Sequence, residues 1–173
     1  MRIVILSEVS ALRRRWMAAV TLLAVLLSAA LIYVMSAQPA GVSNDMSLSV
    51  TEDLLRLFDP RYLSLPEAER LALLRQLNGL VRKAAHVFEF ALFGASLLLH
   101  LRVVLPRQRT KRALPAALAV GVLYASLDEW HQSFVDGRGM MAKDVLIDTC
   151  GVLCGALFAS FLLRLLLRRR KRN

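Results

Sequence analysis

Cysteine and histidine are scarce in this chain, with two cysteines and three histidines among 173 residues. Cys150 and Cys154 stand one helical turn apart in an apolar run, and no loop carries a thiol. They read as buried, reduced thiols and leave the redox compartment open. Acids are few as well, 13 against 23 Lys and Arg, for a net charge of +10. There is no internal repeat, and no low-complexity stretch apart from a basic C-terminal run. What the chain has in excess is apolar surface: 57% of its residues are hydrophobic and the mean hydropathy is +0.51. That is too apolar for an ordinary soluble domain, and the chain is too short for two domains.

Membrane spans account for the excess. About 20 consecutive apolar residues cross the hydrocarbon core as a helix, because lipid offers no partner to an unpaired backbone amide. Four segments qualify: residues 16–35, without a charge, then 84–105, 113–134 and 144–167, which carry polar residues. Arg13, Arg14 and Arg15 precede the first span as they would a signal peptide. Its apolar stretch exceeds the roughly 7–15 residues of a signal core and no clear small-x-small site follows, so it is expected to be retained as a span. The expected fold is an all-α integral membrane protein, a four-transmembrane-helix bundle with an outer amphipathic segment between helices 1 and 2, forming a single domain over 1–173.

Charge sets the orientation. The segment before the first span, the loop 102–112 and the tail from Arg164 hold 15 of the 23 Lys and Arg residues and one acid, Glu8. By the positive-inside rule these belong in the cytoplasm, which puts both termini inside and leaves 36–83 and 136–143 outside an inner membrane. The charge excess therefore calls for no nucleic acid. Arg168, Arg169, Arg170, Lys171 and Arg172 read as an anchor on anionic headgroups.

In the outer segment, Ser64-Leu65-Pro66-Glu67 has the form of a helix start, with the serine as cap. An amphipathic helix is predicted to follow, with Leu73, Leu77 and Leu80 on one face, lying on the membrane over the mouth of the bundle. Asn78-Gly79 is expected to end it before the second span.

The most informative residues are those lipid does not tolerate. An ionisable side chain at the centre of a span costs roughly 2.5–3.5 kcal/mol on insertion scales, so it usually faces the protein interior and has a partner or a task. His86 and Glu89 enter the second span, Asp128, Glu129, His131 and Gln132 close the third, and Asp144 and Asp148 open the fourth. All lie toward the outer side, within on the order of 10 Å of the interface at 1.5 Å per residue. Arg82, His86 and Glu89 share one helical stripe, as do Asp128, His131 and Gln132. Asp144, Asp148, Gly151 and Gly155 form another. Its Gly-xxx-Gly permits close helix approach, so the aspartates point into the bundle.

Ser36-Ala37-Gln38-Pro39, the run Lys83 to Phe90, Asp128-Glu129-Trp130-His131-Gln132-Ser133-Phe134 leading to Gly137-Arg138, and Asp144 to Thr149 with Gly151 together resemble a VanZ-like protein. The resemblance covers most of the chain from the first span onward. It implies an integral protein of the bacterial cell envelope, whose namesake accompanies glycopeptide-resistance genes and raises tolerance to teicoplanin. Two positions depart from the pattern: Ala37, where a second serine is often found, and Met141, near which a serine or threonine often sits. Both departures argue against a hydroxyl nucleophile there.

Several readings of the cluster follow. In the structural one, Arg82 neutralises Glu89 and Arg138 neutralises Asp144, pinning helix ends. In the catalytic one, an enzyme acts on a lipid-linked envelope precursor at the outer face, with His131 as base oriented by Asp128 and Glu89 as acid. His86, Glu129, Asp144 and Asp148 then complete the acid–base set, and Lys83, Arg138, Gln132, Ser36 and Gln38 bind substrate. His86-x-x-Glu89 and Asp128-x-x-His131 also suit a divalent metal between helices, although His100 lies at the far end. The remaining reading is a non-catalytic binder of a lipid headgroup or glycopeptide. Substrate, reaction, cofactor and oligomeric state stay open.

Overall fold

The computed structural model describes residues 2–170; for residues 2–10, 107, 167, 169 and 170 it describes the backbone alone. Among the described residues the chain is all helical: α1 (Arg2–Ser36), α2 (Ala40–Phe58), α3 (Glu67–Val104), α4 (Ala113–Gln132) and α5 (Ala142–Arg170). Short 3-10 turns at Tyr62–Ser64 and Arg107–Arg112 make two of the connections. Residues 171–173, the end of the expected basic anchor, lie outside the described residues.

Among the described residues three helical stretches are long and apolar enough to cross a membrane: Ala11–Ser36, Glu67–Val104 and Ala142–Leu166. α4 has 20 residues but falls outside this set, since Asp128, Glu129, His131 and Gln132 fill its last turn. Only 11% of the apolar window of α1 is buried. Leu23, Leu26 and Leu27 on α1, and Leu157, Phe158 and Phe161 on α5, are large apolar side chains left exposed. Water does not tolerate such a surface on an isolated chain; lipid does.

α3 is the central helix and packs against each of the other four. Phe90, Phe93, Leu97 and Leu98 of α3 meet Ile32 of α1, Ala117 and Ala125 of α4, and Val152, Ala156 and Ala159 of α5. Small residues set the distances. A Cβ on Gly155 would overlap the backbone of Ala91, and one on Gly151 the backbone of Val87, so α5 lies directly on α3. That approach carries Asp144 and Asp148 alongside His86, one turn further along. At the opposite end, Arg14 donates from Nε and Nη2 to the carbonyls of Val103 and Val104, both at 3.0 Å, satisfying the last carbonyls of α3. Thr21 Oγ1 lies 3.1 Å from His100 Nδ1 near the same end.

Several expectations are corrected. The segment after the first span contains a full helix, α2, whose Ser47, Thr51 and Leu55 at fourfold spacing bury toward α3. The amphipathic stretch and the second span are one helix of 38 residues. At 1.5 Å per residue it is about 57 Å long, against about 30 Å of hydrocarbon core, so it extends well beyond a bilayer. Asn78-Gly79 does not end it: the Asn78 side chain donates to Asn44 Oδ1 of α2 at 2.7 Å, and this packing outweighs the local helix penalty of glycine. Ser64 does not cap the helix either. Its hydroxyl donates to the Arg61 carbonyl at 2.7 Å, and Pro66 occupies the cap position with Glu67 and Glu69 in the first turn. Cys150 and Cys154 are free but exposed on the outer surface of α5 rather than buried.

Candidate functional site

The ionisable residues gather at the end of the bundle where α1 stops. Ser36, the last residue of α1, is fully buried and donates its hydroxyl to Asp128 Oδ2 at 2.8 Å. Gln132, one turn on along α4, donates Nε2 to the same oxygen at 2.9 Å and lies 3.3 Å from Ser36 Oγ. This trio fixes α1 against α4. The next residue after Asp128, Glu129, accepts the backbone N–H of Met141 through Oε2 at 2.9 Å, tying α4 to the start of α5.

The link between α4 and α5 folds back over this end. Gly137 takes φ +69°, in the left-handed region that a side chain disfavours, and a Cβ there would also crowd Ala40. The turn lets the Asp136 carbonyl accept the N–H of Ala40 at 3.0 Å, anchoring the first residue of α2. It also directs Arg138 inward, where Nη2 lies 3.4 Å from the Met35 carbonyl. Burial, then repulsion from Arg82, holds the Arg138 guanidinium below its ordinary pKa.

Under this turn lies a cavity of about 200 Å³. Arg82, Lys83 and Arg138 supply positive charge, Glu129, Asp144 and Asp148 supply carboxyls, and His86 and Gln132 complete the polar wall. Asp148 is almost fully buried, while Arg82 and Lys83 reach the exposed rim. His86 Nδ1 and Asp144 Oδ1 are buried without a hydrogen-bond partner, and so is Glu89 Oε2 just beyond His86. Among the described residues the ion pairs are Arg56–Glu52 and Arg61–Asp59, both away from the cavity. The pairs Arg82–Glu89 and Arg138–Asp144, the examples offered by the structural reading, are not formed. Charges of both signs face one space without neutralising one another directly, an arrangement suited to a polar ligand with both anionic and hydrogen-donating groups.

The expected site residues are divided by the fold. His86, Glu129, Asp144, Asp148, Lys83, Gln132 and Arg138 line the cavity. Glu89 and Gln38 line an adjoining pocket under α2, where Gln38 Nε2 donates to the Val34 carbonyl at 3.2 Å. Asp128 and Ser36 form the buried support beside the cavity. His131 stands apart: its ring stacks on Tyr33 of α1, with centroids 5.0 Å apart. The expected hydrogen bond between His131 and Asp128 is not formed: Asp128 Oδ2 accepts from Ser36 and Gln132, and His131 Nε2 is buried without a partner among the described residues. Among the described residues no group of three His, Cys, Asp or Glu side chains converges as metal ligands do, so the two i, i+3 pairs do not combine into one centre. Met141, noted only as a departure, contributes through its backbone N–H, and α2 walls a pocket the sequence reading did not include.

An all-helical bundle sheathed in exposed apolar side chains, with a polar, charged cavity at one end, has the make-up of a membrane protein. Residues 20–164 match the family model described as VanZ/LLP1, and the chain belongs to that family. No curated protein and no solved structure matches it.

Proposed function

We propose that α1, α3, α4 and α5 each cross the inner membrane, with both termini in the cytoplasm, and that the cavity opens at the outer face to hold the phosphate-bearing headgroup of a lipid-linked envelope precursor. One observation carries this reading: Arg82 and Arg138 converge on a single cavity without an ion pair to the carboxyls opposite. A phosphate satisfies two guanidinium groups and relieves their mutual repulsion. Asp144, Asp148 and His86 across the cavity suit the hydroxyls or amides that a sugar-bearing headgroup presents. The orientation is supported by the basic segments, which gather before the first span, in 102–112 and from Arg164 on. A reporter fused after Arg109 or at Asn173 is expected to read cytoplasm and one near Asp59 the outside; an outside signal at Asn173 overturns the topology.

Catalysis is the second reading, favoured by His86 and Asp144, which line the same cavity and each carry a buried polar atom without a partner among the described residues. His86 replaces His131 as the leading base. Labelled lipid-linked precursor in membranes distinguishes the two. An enzyme with His86→Gln still binds the precursor and stops converting it, whereas a binder converts nothing in either form. The resemblance to the teicoplanin-tolerance protein makes glycopeptide susceptibility the phenotype to follow in the same strains.

A further inference from the structure

Beside the polar cavity lies a second pocket, of about 120 Å³, between the end of α1, α2 and the middle of α3. Its character is different. Met35, Met46, Val50, Val81 and Ala85 give it mainly apolar walls, yet Arg82 and His86 line both spaces. The two pockets therefore meet across these side chains. Met46 and Val50 also belong to an exposed apolar stripe on α2, Val42, Met46, Val50, Leu54 and Phe58, spaced four residues apart along one side of the helix. The polar side of α2 carries Asp45, Glu52 and Arg56. Such a helix lies in the membrane interface with its apolar stripe against the acyl region.

Resting on the headgroup reading above, we infer that the pocket under α2 is the chain subsite of the same ligand: one phosphate-bearing amphiphile places its head among Arg82, Lys83 and Arg138 and the first part of its hydrocarbon chain between Met46, Val50 and Val81. The exposed stripe makes the slot continuous with the lipid the chain comes from, so the ligand slides in sideways under α2 instead of leaving the membrane. Glu89 lines the slot one turn beyond His86, away from the shared residues. α2 then acts as the element that distinguishes a membrane-borne phosphate from a soluble one.

Full-length protein in phosphatidylcholine nanodiscs tests this with a phosphatidic acid bearing a diazirine in its acyl chain and with the matching diacylglycerol probe, which lacks the phosphate. Glycerol 3-phosphate binding is measured in parallel by calorimetry. The phosphatidic acid probe is expected to crosslink Met46, Val50 or Val81 several-fold more than the diacylglycerol probe does. Val50→Trp, which fills the slot from a half-exposed position, is expected to abolish those crosslinks and keep glycerol 3-phosphate binding. Val42→Trp, on the same stripe outside the slot, is expected to leave both unchanged. Equal labelling of the slot by the two probes, or phosphatidic acid labelling confined to outward residues such as Leu23 and Phe161, overturns the chain subsite while the headgroup reading stands. Absence of glycerol 3-phosphate binding to the wild type overturns the headgroup reading and the inference with it.

Discussion

Replacing Ser36 by alanine removes one oxygen from a fully buried position and withdraws a 2.8 Å hydrogen bond from the Asp128 carboxylate. The second contact of Ser36, with Gln132 at 3.3 Å, is at the long end of the range and adds little. A hydrogen bond to a charged group contributes about 1.5–3 kcal/mol, and the loss leaves Asp128 Oδ2 with Gln132 as its sole partner among the described residues. Ser36→Ala is therefore expected to lower stability by about 2 kcal/mol. Asp128→Ala is expected to cost more, since it strands both Ser36 and Gln132. Reversible unfolding of the purified protein in mixed detergent micelles provides the assay, read as a double-mutant cycle. A coupling of about 1–2 kcal/mol between the two positions is expected, and a coupling within the roughly 0.3–0.5 kcal/mol of simple additivity refutes the idea that this bond fixes α1 against α4.

Other substitutions test separate parts of the structure. Gly155→Leu forces side-chain atoms into the backbone of Ala91 and is expected to cost about 3 kcal/mol or to block accumulation in the membrane, measured by unfolding or by yield. Met141→Ser is expected to stay within about 0.5 kcal/mol of wild type because only the backbone N–H of Met141 is engaged, whereas Met141→Pro removes that donor and destabilises by about 1–3 kcal/mol. Asp148→Asn keeps the shape of a buried wall residue but cannot take up or release a proton. It is expected to accumulate normally and lose headgroup binding and the envelope phenotype. If Asp148→Asn and Asp148→Leu both keep the full phenotype at normal abundance, Asp148 has no role in the site.

Much of the architecture was legible because lipid and helix geometry leave few choices. The Gly151-xxx-Gly155 stripe identified the face of α5 that meets α3, and with it the inward direction of Asp144 and Asp148. The same periodicity was present in residues 40–58, where Ser47, Thr51 and Leu55 mark a buried face, but small polar residues on that face hide it from a search for apolar stripes. Asn78-Gly79 misled for a related reason: as local punctuation it reads as a stop, while the Asn78–Asn44 contact that overrides it is invisible along the chain. Within the site, helical spacing put Asp128 and His131 on one stripe and suggested that they pair. Spacing cannot say which neighbouring helix each meets, and Ser36 and Tyr33 of α1 take one each. His86 gained its place because α5 lies so close to α3 at Gly151. Arg82 was legible as part of the stripe, but its approach to Arg138 depends on the left-handed turn at Gly137.

Arg82 and Arg138 are expected to hold a phosphate-bearing lipid headgroup in the cavity. Native mass spectrometry of the protein extracted gently from its own membranes, compared with Arg138→Gln at matched abundance, tests this most directly. The wild type is expected to retain a stoichiometric anionic, phosphate-containing lipid that Arg138→Gln loses while keeping its fold. An identical lipid profile in the two proteins, or a wild type that carries none and gains none when phosphatidic acid is supplied, contradicts it.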